Sequence, residues 1–296
     1  MSWLLLTVIS AVLLGLYDFF KKVALKENEV TPVLFGSVLV SSIIWLPAVI
    51  WSATSASAGE QHFLDVARIG PADHGLLLCK ALLVGASWVC GYCGIRALPL
   101  SIATPIRATG PLWTIAMAVM FFGESPSARQ WTGLAVILGS FFVFTLVGRR
   151  EGIHFHRDKG VFLMIGATVL GALSALYDKF LLQSAGLTPS AVQAWFTLYL
   201  GVLLVPAAIA WRRNPQRKPF RWHWSVPMIG ITLLAADILY FIAISQPDAL
   251  ISLISPVRRS SVIVSFLLGI FLFRERQPGA KALCVAGIIG GVMLLS

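Results

Sequence analysis

Ten apolar runs, each about 20 residues long, follow one another along the chain with only short polar breaks. They read as 3–22, 32–51, 75–97, 100–122, 128–147, 160–183, 188–211, 222–244, 249–273 and 278–295. At 1.5 Å per residue such a run spans a hydrocarbon layer about 30 Å thick, and a helix satisfies its own backbone there without water. The runs therefore predict an all-α membrane protein with ten transmembrane helices. The chain is 57% hydrophobic and only 12% charged, with a mean hydropathy of +0.83, against about 25% charged residues in a soluble domain. The breaks carry turn chemistry, as in Thr31-Pro32, Ser125-Pro126, Thr188-Pro189, Asn214-Pro215 and Gln277-Pro278, and none is long enough for a soluble domain.

The net charge of +10 suggests nucleic acid only until its placement is read. Most lysines and arginines fall in one alternate set of loops: Lys21, Lys22, Lys26, Arg96, Arg149, Arg150, Arg157, Lys159, the cluster Arg212 to Arg221, Arg274, Arg276 and Lys281. The opposite set holds little beyond Arg68 and Arg129. Such a bias orients a membrane protein, so nucleic acid is not an expected partner. The basic set belongs in the cytoplasm, which places both termini outside. The first run, after Met1-Ser2-Trp3, lacks a basic leader and is read as a retained span. Cys79, Cys90, Cys93 and Cys284 lie in apolar runs and read as packing residues, with no partner cluster for a metal. The five histidines fall in loops or at helix ends.

An internal repeat sets the architecture. Leu16-Tyr17-Asp18-Phe19 in the first run returns as Leu176-Tyr177-Asp178-Lys179 in the sixth. Ala103-Thr104-Pro105-Ile106-Arg107 in the fourth returns as Ile254-Ser255-Pro256-Val257-Arg258 in the ninth. Glu124 matches Glu275, and Tyr92 matches Tyr240, in the same order. The expectation is two five-helix repeats, 1–148 and 159–296, and because five is odd the second is inverted. Inverted repeats place a solute site near the midplane and allow alternating access to it.

Charges inside the runs mark that site, because an intramembrane charge costs about 2.5–3.5 kcal/mol on insertion scales and is kept for a reason. Arg107, Arg258 and Arg259 offer planar forks of donors suited to phosphate or carboxylate. Adjacent arginines stand about 100° apart on a helix, so Arg258 and Arg259 share only a wide cavity. Pro105 and Pro256 precede them by two residues and remove backbone hydrogen bonds, giving either a hinge or a static kink. Asp18, Asp178 and Asp237 are the acids within the runs: structural counter-ions for the arginines, or proton-coupling groups. Asp18 precedes Lys21 and Lys22 by three and four residues, which favours a local pair, while Asp237 has no neighbouring cation in sequence. Tyr177, Tyr240, Tyr92 and Trp88 are candidates to line the cavity with hydroxyl donors and ring faces; packing is the simpler role for each.

Phe121-Phe122-Gly123-Glu124-Ser125-Pro126 through Trp131-Thr132-Gly133-Leu134, and Phe273-Arg274-Glu275-Arg276-Gln277-Pro278 onward, each end a helix in Glu and lead into a Gly-rich one. On these segments and the ten-helix repeat the chain resembles the drug/metabolite transporter superfamily, in its EamA-type members. The resemblance implies a transporter of small metabolites, with both termini in the cytoplasm, opposite to the charge count. Ile106-Arg107-Ala108-Thr109-Gly110-Pro111 and Val257-Arg258-Arg259-Ser260-Ser261 are also similar to the corresponding helices of plastid phosphate translocators. That likeness implies an anion clamp of Arg107, Arg258 and Arg259, with Arg where that family has Lys at two places.

The expected function is a secondary transporter moving a small organic anion across a bacterial inner membrane, coupled to protons or a counter-anion, with no cofactor and no metal. An exporter of amino acids or other zwitterions is the alternative, its arginines reading only the carboxylate. A membrane enzyme on lipid-linked phosphate would also use arginines, but no nucleophile with a positioned base is visible; a non-transporting subunit is the fourth reading.

Overall fold

The computed structural model of the chain describes residues 2–54, 66, 69–97, 106–107, 109–146, 159–261, 263–264, 268 and 278–295. Among them are ten α-helices: α1 (Trp3–Ala24), α2 (Val30–Thr54), α3 (Pro71–Ala97), α4 (Gly110–Phe122), α5 (Ala128–Leu146), α6 (Lys159–Lys179), α7 (Pro189–Arg213), α8 (Ser225–Ile244), α9 (Ile251–Arg259) and α10 (Pro278–Leu295). A π-helical turn, Phe180–Ser184, extends α6. By length and composition six of these can cross a membrane, namely α1, α2, α3, α6 with its π turn, α7 and α8; α4 is a shorter apolar helix.

The helix ends follow local chemistry. The Ser2 hydroxyl accepts from the Leu5 amide, and the Thr188 hydroxyl from the Ala191 amide ahead of Pro189 at the first position of α7. A reciprocal box starts α5, where the Ser127 amide donates to Gln130 Oε1 at 2.9 Å and the Gln130 amide to Ser127 Oγ at 3.3 Å. Gly123 ends α4 with φ of 62°, a left-handed conformation that suits glycine.

Two of the expected runs are interrupted. The run at 100–122 restarts as α4 at Gly110 after a turn at Thr109, because Pro111 has no amide to donate and fits only a first helical turn. The run at 249–273 breaks at Ser260, directly after α9. Pro105 and the residues of 98–105 lie outside the described residues, as does Glu275.

The helices gather into two compact units. Unit 1 is Met1–Leu82 with Phe180–Gln246, and unit 2 is Leu83–Lys179 with Pro247–Ser296. Each unit thus draws helices from both halves of the chain. In unit 1, α1 packs along α8 and α2 packs on α7 and α8. Backbones come close there: a β-carbon on Gly230 would run into the Ser37 carbonyl, and Ser41 Oγ donates to the Gly230 carbonyl at 3.0 Å. Ser10 Oγ donates to the Ala236 carbonyl at 2.7 Å. Small residues and serine bonds of this kind hold helices together where apolar burial gives no net drive. In unit 2, α5 packs along α10, and α4 on α6 and α9. Ser87 Oγ of α3 donates to the Ala167 carbonyl of α6 at 2.8 Å.

Candidate functional site

The three arginines lie at two helix breaks, both within unit 2. After Arg107 the chain turns at Thr109, whose amide and hydroxyl both donate to the Ile106 carbonyl, at 3.1 and 2.7 Å. After Arg258 and Arg259 it turns at Ser260, whose amide and hydroxyl both donate to the Val257 carbonyl, at 3.0 and 2.6 Å. The two turns are built alike: a hydroxyl residue bonds back to the carbonyl just ahead of the arginine. Such bonds tighten the helix to i→i+3 pairing and leave its next turn to be restarted. Arg258 and Arg259 occupy the last turn of α9, where the helix dipole favours cations. The Arg259 guanidinium reaches across to α4, 3.7 Å from where a β-carbon on Gly110 would stand. Arg107 precedes Gly110 by three residues and is exposed, as is Arg259, while Arg258 is half-buried. Pro256 is buried within α9.

The start of α9 is held by a buried cluster that sequence reasoning did not foresee. Leu250 at its N-cap supplies no side-chain acceptor, and Glu124, released from α4 by the Gly123 turn, takes that role from a distance. Its Oε1 accepts from the Ile251 amide at 2.8 Å, and its Oε2 from the Ser252 amide at 2.9 Å and from the Ser252 hydroxyl. Lys179, the residue after Asp178, donates to Glu124 Oε1 at 2.6 Å, with side chains 9% and 2% exposed. Its ammonium also donates to the Ala249 carbonyl at 3.5 Å and lies 5.2 Å from the centre of the Phe122 ring. The carboxylate therefore neutralises a buried lysine and satisfies the orphan amides of a helix N-terminus together.

The other candidate residues divide between the units. Asp18 pairs with Lys21 at 2.9 Å, three residues on in α1, with both side chains partly exposed. Lys21 also lies over the Tyr17 ring at 4.6 Å. In unit 1, Asp237 is half-buried and Tyr240 is 3% exposed. In unit 2, Asp178 is 5% exposed, and Tyr177 and Trp88 are half-buried. The side chain of Tyr92 lies outside the described residues.

A second buried lysine, Lys80 of α3, was also missed. It is 2% exposed, and its ammonium lies over two rings of unit 1, 4.6 Å from the centre of Phe196 on α7 and 5.0 Å from that of Phe241 on α8. Earlier on the same face pair, His74 Nδ1 is 2.7 Å from the Tyr199 hydroxyl, and its ring stands edge-on to Trp195 at 4.5 Å. The signal was a lone lysine in Leu76-Leu77-Leu78-Cys79-Lys80-Ala81-Leu82, an ionisable residue within an apolar run.

Many apolar helices with arginines, lysines and acids set into their spans make up a multi-pass α-helical membrane protein. The chain belongs to the EamA-like transporter family, whose model matches residues 1–146 and 158–296. It is 22% identical to an S-adenosylmethionine uptake transporter of Rickettsia bellii (strain RML369-C) over 277 residues, 93% of this chain and 85% of the relative. It is 24% identical to Solute carrier family 35 member E4 of Homo sapiens, over 73% of this chain and 62% of that protein. A crystal structure of a protein superposes with a TM-score of 0.76 at 17% identity, covering 99% of this chain and 96% of the other, which concerns the fold alone.

Proposed function

We propose that this chain is a secondary transporter of a small phosphate- or carboxylate-bearing metabolite, and that Arg107, Arg258 and Arg259 read the anionic group. The observation that carries the reading is the pair of matched turns, Ile106 to Thr109 and Val257 to Ser260, each placing an arginine at a helix break. Broken helices of this kind supply ion-binding ends at the midplane of transporters. The approach of Arg259 to Gly110 supports convergence of the two turns. Arginine forks in a low-dielectric setting bind oxyanions strongly and with a fixed geometry.

Alternating access between inverted repeats is part of the same proposal. It is supported by how counterpart helices of the two halves meet: α2 with α7, α4 with α9, and α5 with α10. First and third helices also pair across the halves, α1 with α8 through Ser10, and α6 with α3 through Ser87. Pro256 and Pro105 are the proposed hinges, and Asp237 and Asp178 the proposed coupling groups or counter-ions. Tyr177, Tyr240, Tyr92 and Trp88 are the proposed lining. The basic loops are assigned to the cytoplasm and both termini to the outside.

One observation favours a second reading. The Rickettsia relative is named for S-adenosylmethionine uptake, and that solute joins a carboxylate to cationic groups. A zwitterion whose carboxylate alone meets the arginines fits that name better than a dianion does. Thermal-shift screening of the purified protein against phosphorylated, carboxylated, zwitterionic and neutral metabolites tests both readings. Stabilisation by anion-bearing solutes, abolished in Arg258→Ala and Arg259→Ala, is expected; stabilisation by neutral solutes alone, unchanged in both variants, would refute the arginine reading.

A further inference from the structure

We propose that the loop between α7 and α8 is a binding site for the headgroup of an anionic phospholipid, held in shape by the loop between α1 and α2. Both loops belong to unit 1. The inference stands apart from the transport reading, since none of the arginines assigned to the solute takes part in it.

Charge is concentrated there. Arg212 and Arg213 close α7, and Arg217, Lys218 and Arg221 follow before α8 opens at Ser225. All five are exposed. Two carboxylates of the α1–α2 loop come near them, and both are engaged. Glu27 accepts from the Arg221 guanidinium at 3.3 Å. Glu29 accepts from the Trp211 indole through Oε2 and from the Lys218 amide through Oε1, the latter at 3.1 Å. Among the described residues no carboxylate pairs with the side chains of Arg212, Arg213 or Lys218. Five cations beside two carboxylates leave the surface electropositive.

Cations that only orient a chain in the membrane need no fixed shape, yet this loop has one. Asn28, 8% exposed, donates to the Arg221 carbonyl at 2.9 Å and accepts from the Arg221 amide at 2.7 Å. Asn214 opens the loop with a turn, its Oδ1 accepting from the Gln216 amide at 3.0 Å and its carbonyl from the Arg217 amide at 3.2 Å. Arg217 folds back to donate to the Arg212 carbonyl, 5.4 Å from the centre of the Trp211 ring. Phe220 packs on the buried cluster of Ala24, Val33, Val226 and Ile229. A backbone already ordered loses less freedom when it binds. Trp222 and Trp224, 68% and 56% exposed, stand just ahead of α8, with Trp224 edge-on to Phe20 at 5.5 Å. Exposed tryptophans at the end of a spanning helix sit at headgroup level, which brings the neighbouring cations to the plane of the lipid phosphates. Arginine forks match the paired oxygens of a phosphodiester, and the indoles take the apolar part beside it. A soluble phosphate meets only the charges, whereas a phospholipid meets both.

The test measures melting of the purified full chain in neutral detergent micelles doped with phosphatidylglycerol or with phosphatidylcholine. One variant, Arg212→Gln with Arg213→Gln and Lys218→Gln, removes three cations of the loop. A second, Arg149→Gln with Arg150→Gln and Arg157→Gln, removes the same charge from a different basic loop. The expected result is a rise in Tm with phosphatidylglycerol and none with phosphatidylcholine, fading in molar salt. The lipid fraction that gives half the rise increases at least about tenfold in the first variant and stays within about twofold of the parent in the second. Without lipid the first variant melts near the parent, and Arg258→Ala keeps the lipid response whether or not it loses the solute. Equal stabilisation by the two lipids, an unchanged response in the first variant, or equal losses in both variants would each overturn the proposal, the last by reducing the effect to net charge. Soluble glycerol 3-phosphate stabilising as well as phosphatidylglycerol would overturn the choice of a lipid, and a first variant that does not fold would overturn the site by making its cations structural.

Discussion

Glu124→Ala is expected to be among the most destabilising single substitutions in unit 2. The change removes the acceptor for two backbone amides, one hydroxyl and the ammonium of Lys179. Losing a helix cap costs about 1 kcal/mol, and stranding a buried charge about 3–5 kcal/mol. Because these groups share one carboxylate the terms overlap, and a loss of about 4–5 kcal/mol is expected. Glu124→Gln keeps one oxygen, for the Ile251 or the Ser252 amide but not for both, and loses the charge for Lys179, so at least about 3 kcal/mol is expected there. The diagnostic variant is Glu124→Gln with Lys179→Met, in which neither buried charge remains. Breaking one partner is costly while replacing both is close to neutral, so the double variant is expected to recover at least about 2 kcal/mol relative to the sum of the singles. Reversible unfolding in mixed detergent micelles, followed by circular dichroism, measures all of them. If the two single costs add to within about 0.5 kcal/mol, the cluster is not an energetic unit and the reasoning is wrong.

Gly230→Val forces a side chain against the Ser37 carbonyl and Val40 and is expected to cost at least about 1–3 kcal/mol in the same unfolding assay, whereas Ser41→Ala, losing one interhelical bond, costs only about 0.6 kcal/mol. Asp18→Asn breaks a partly exposed pair within one helix, and a stability change within about 0.5 kcal/mol with uptake retained is expected. A reporter fused after the C-terminus is expected to read outside the cytoplasm; a cytoplasmic signal reverses the orientation drawn from the basic loops.

Hydropathy alone located the helices, because the bilayer imposes one length and one backbone solution on every span. Where it erred, at Thr109 and Ser260, apolar residues resume on both sides of the arginines and keep the average over the run high while the backbone breaks; the breaks are made by a proline and by hydroxyl back-bonds that hydropathy does not register. Their symmetry was present in the aligned repeat as Ile106-Arg107-Ala108-Thr109 beside Val257-Arg258-Arg259-Ser260. The arginines stood out because a charge in an apolar run is conspicuous, and Lys80 carried the same signal more faintly as a single residue. The partnership of Glu124 with Lys179 and the start of α9 joins segments 55 and 127 residues apart. No local pattern specifies which helix end a distant carboxylate will cap. Asp18 with Lys21 is the opposite case, a pair fixed by spacing on one helix.

Uptake into proteoliposomes decides whether the arginine-bearing turns carry solute. With the carboxylate- or phosphate-bearing metabolite that best stabilises the purified protein, loaded vesicles should accumulate label with the parent chain and with Asp18→Asn. Arg258→Ala and Arg259→Ala should insert and melt near the parent yet lose at least about tenfold in uptake at low solute concentration. Equal uptake by parent and arginine variants, at the same protein content, would contradict the assignment of Arg107, Arg258 and Arg259 to the solute.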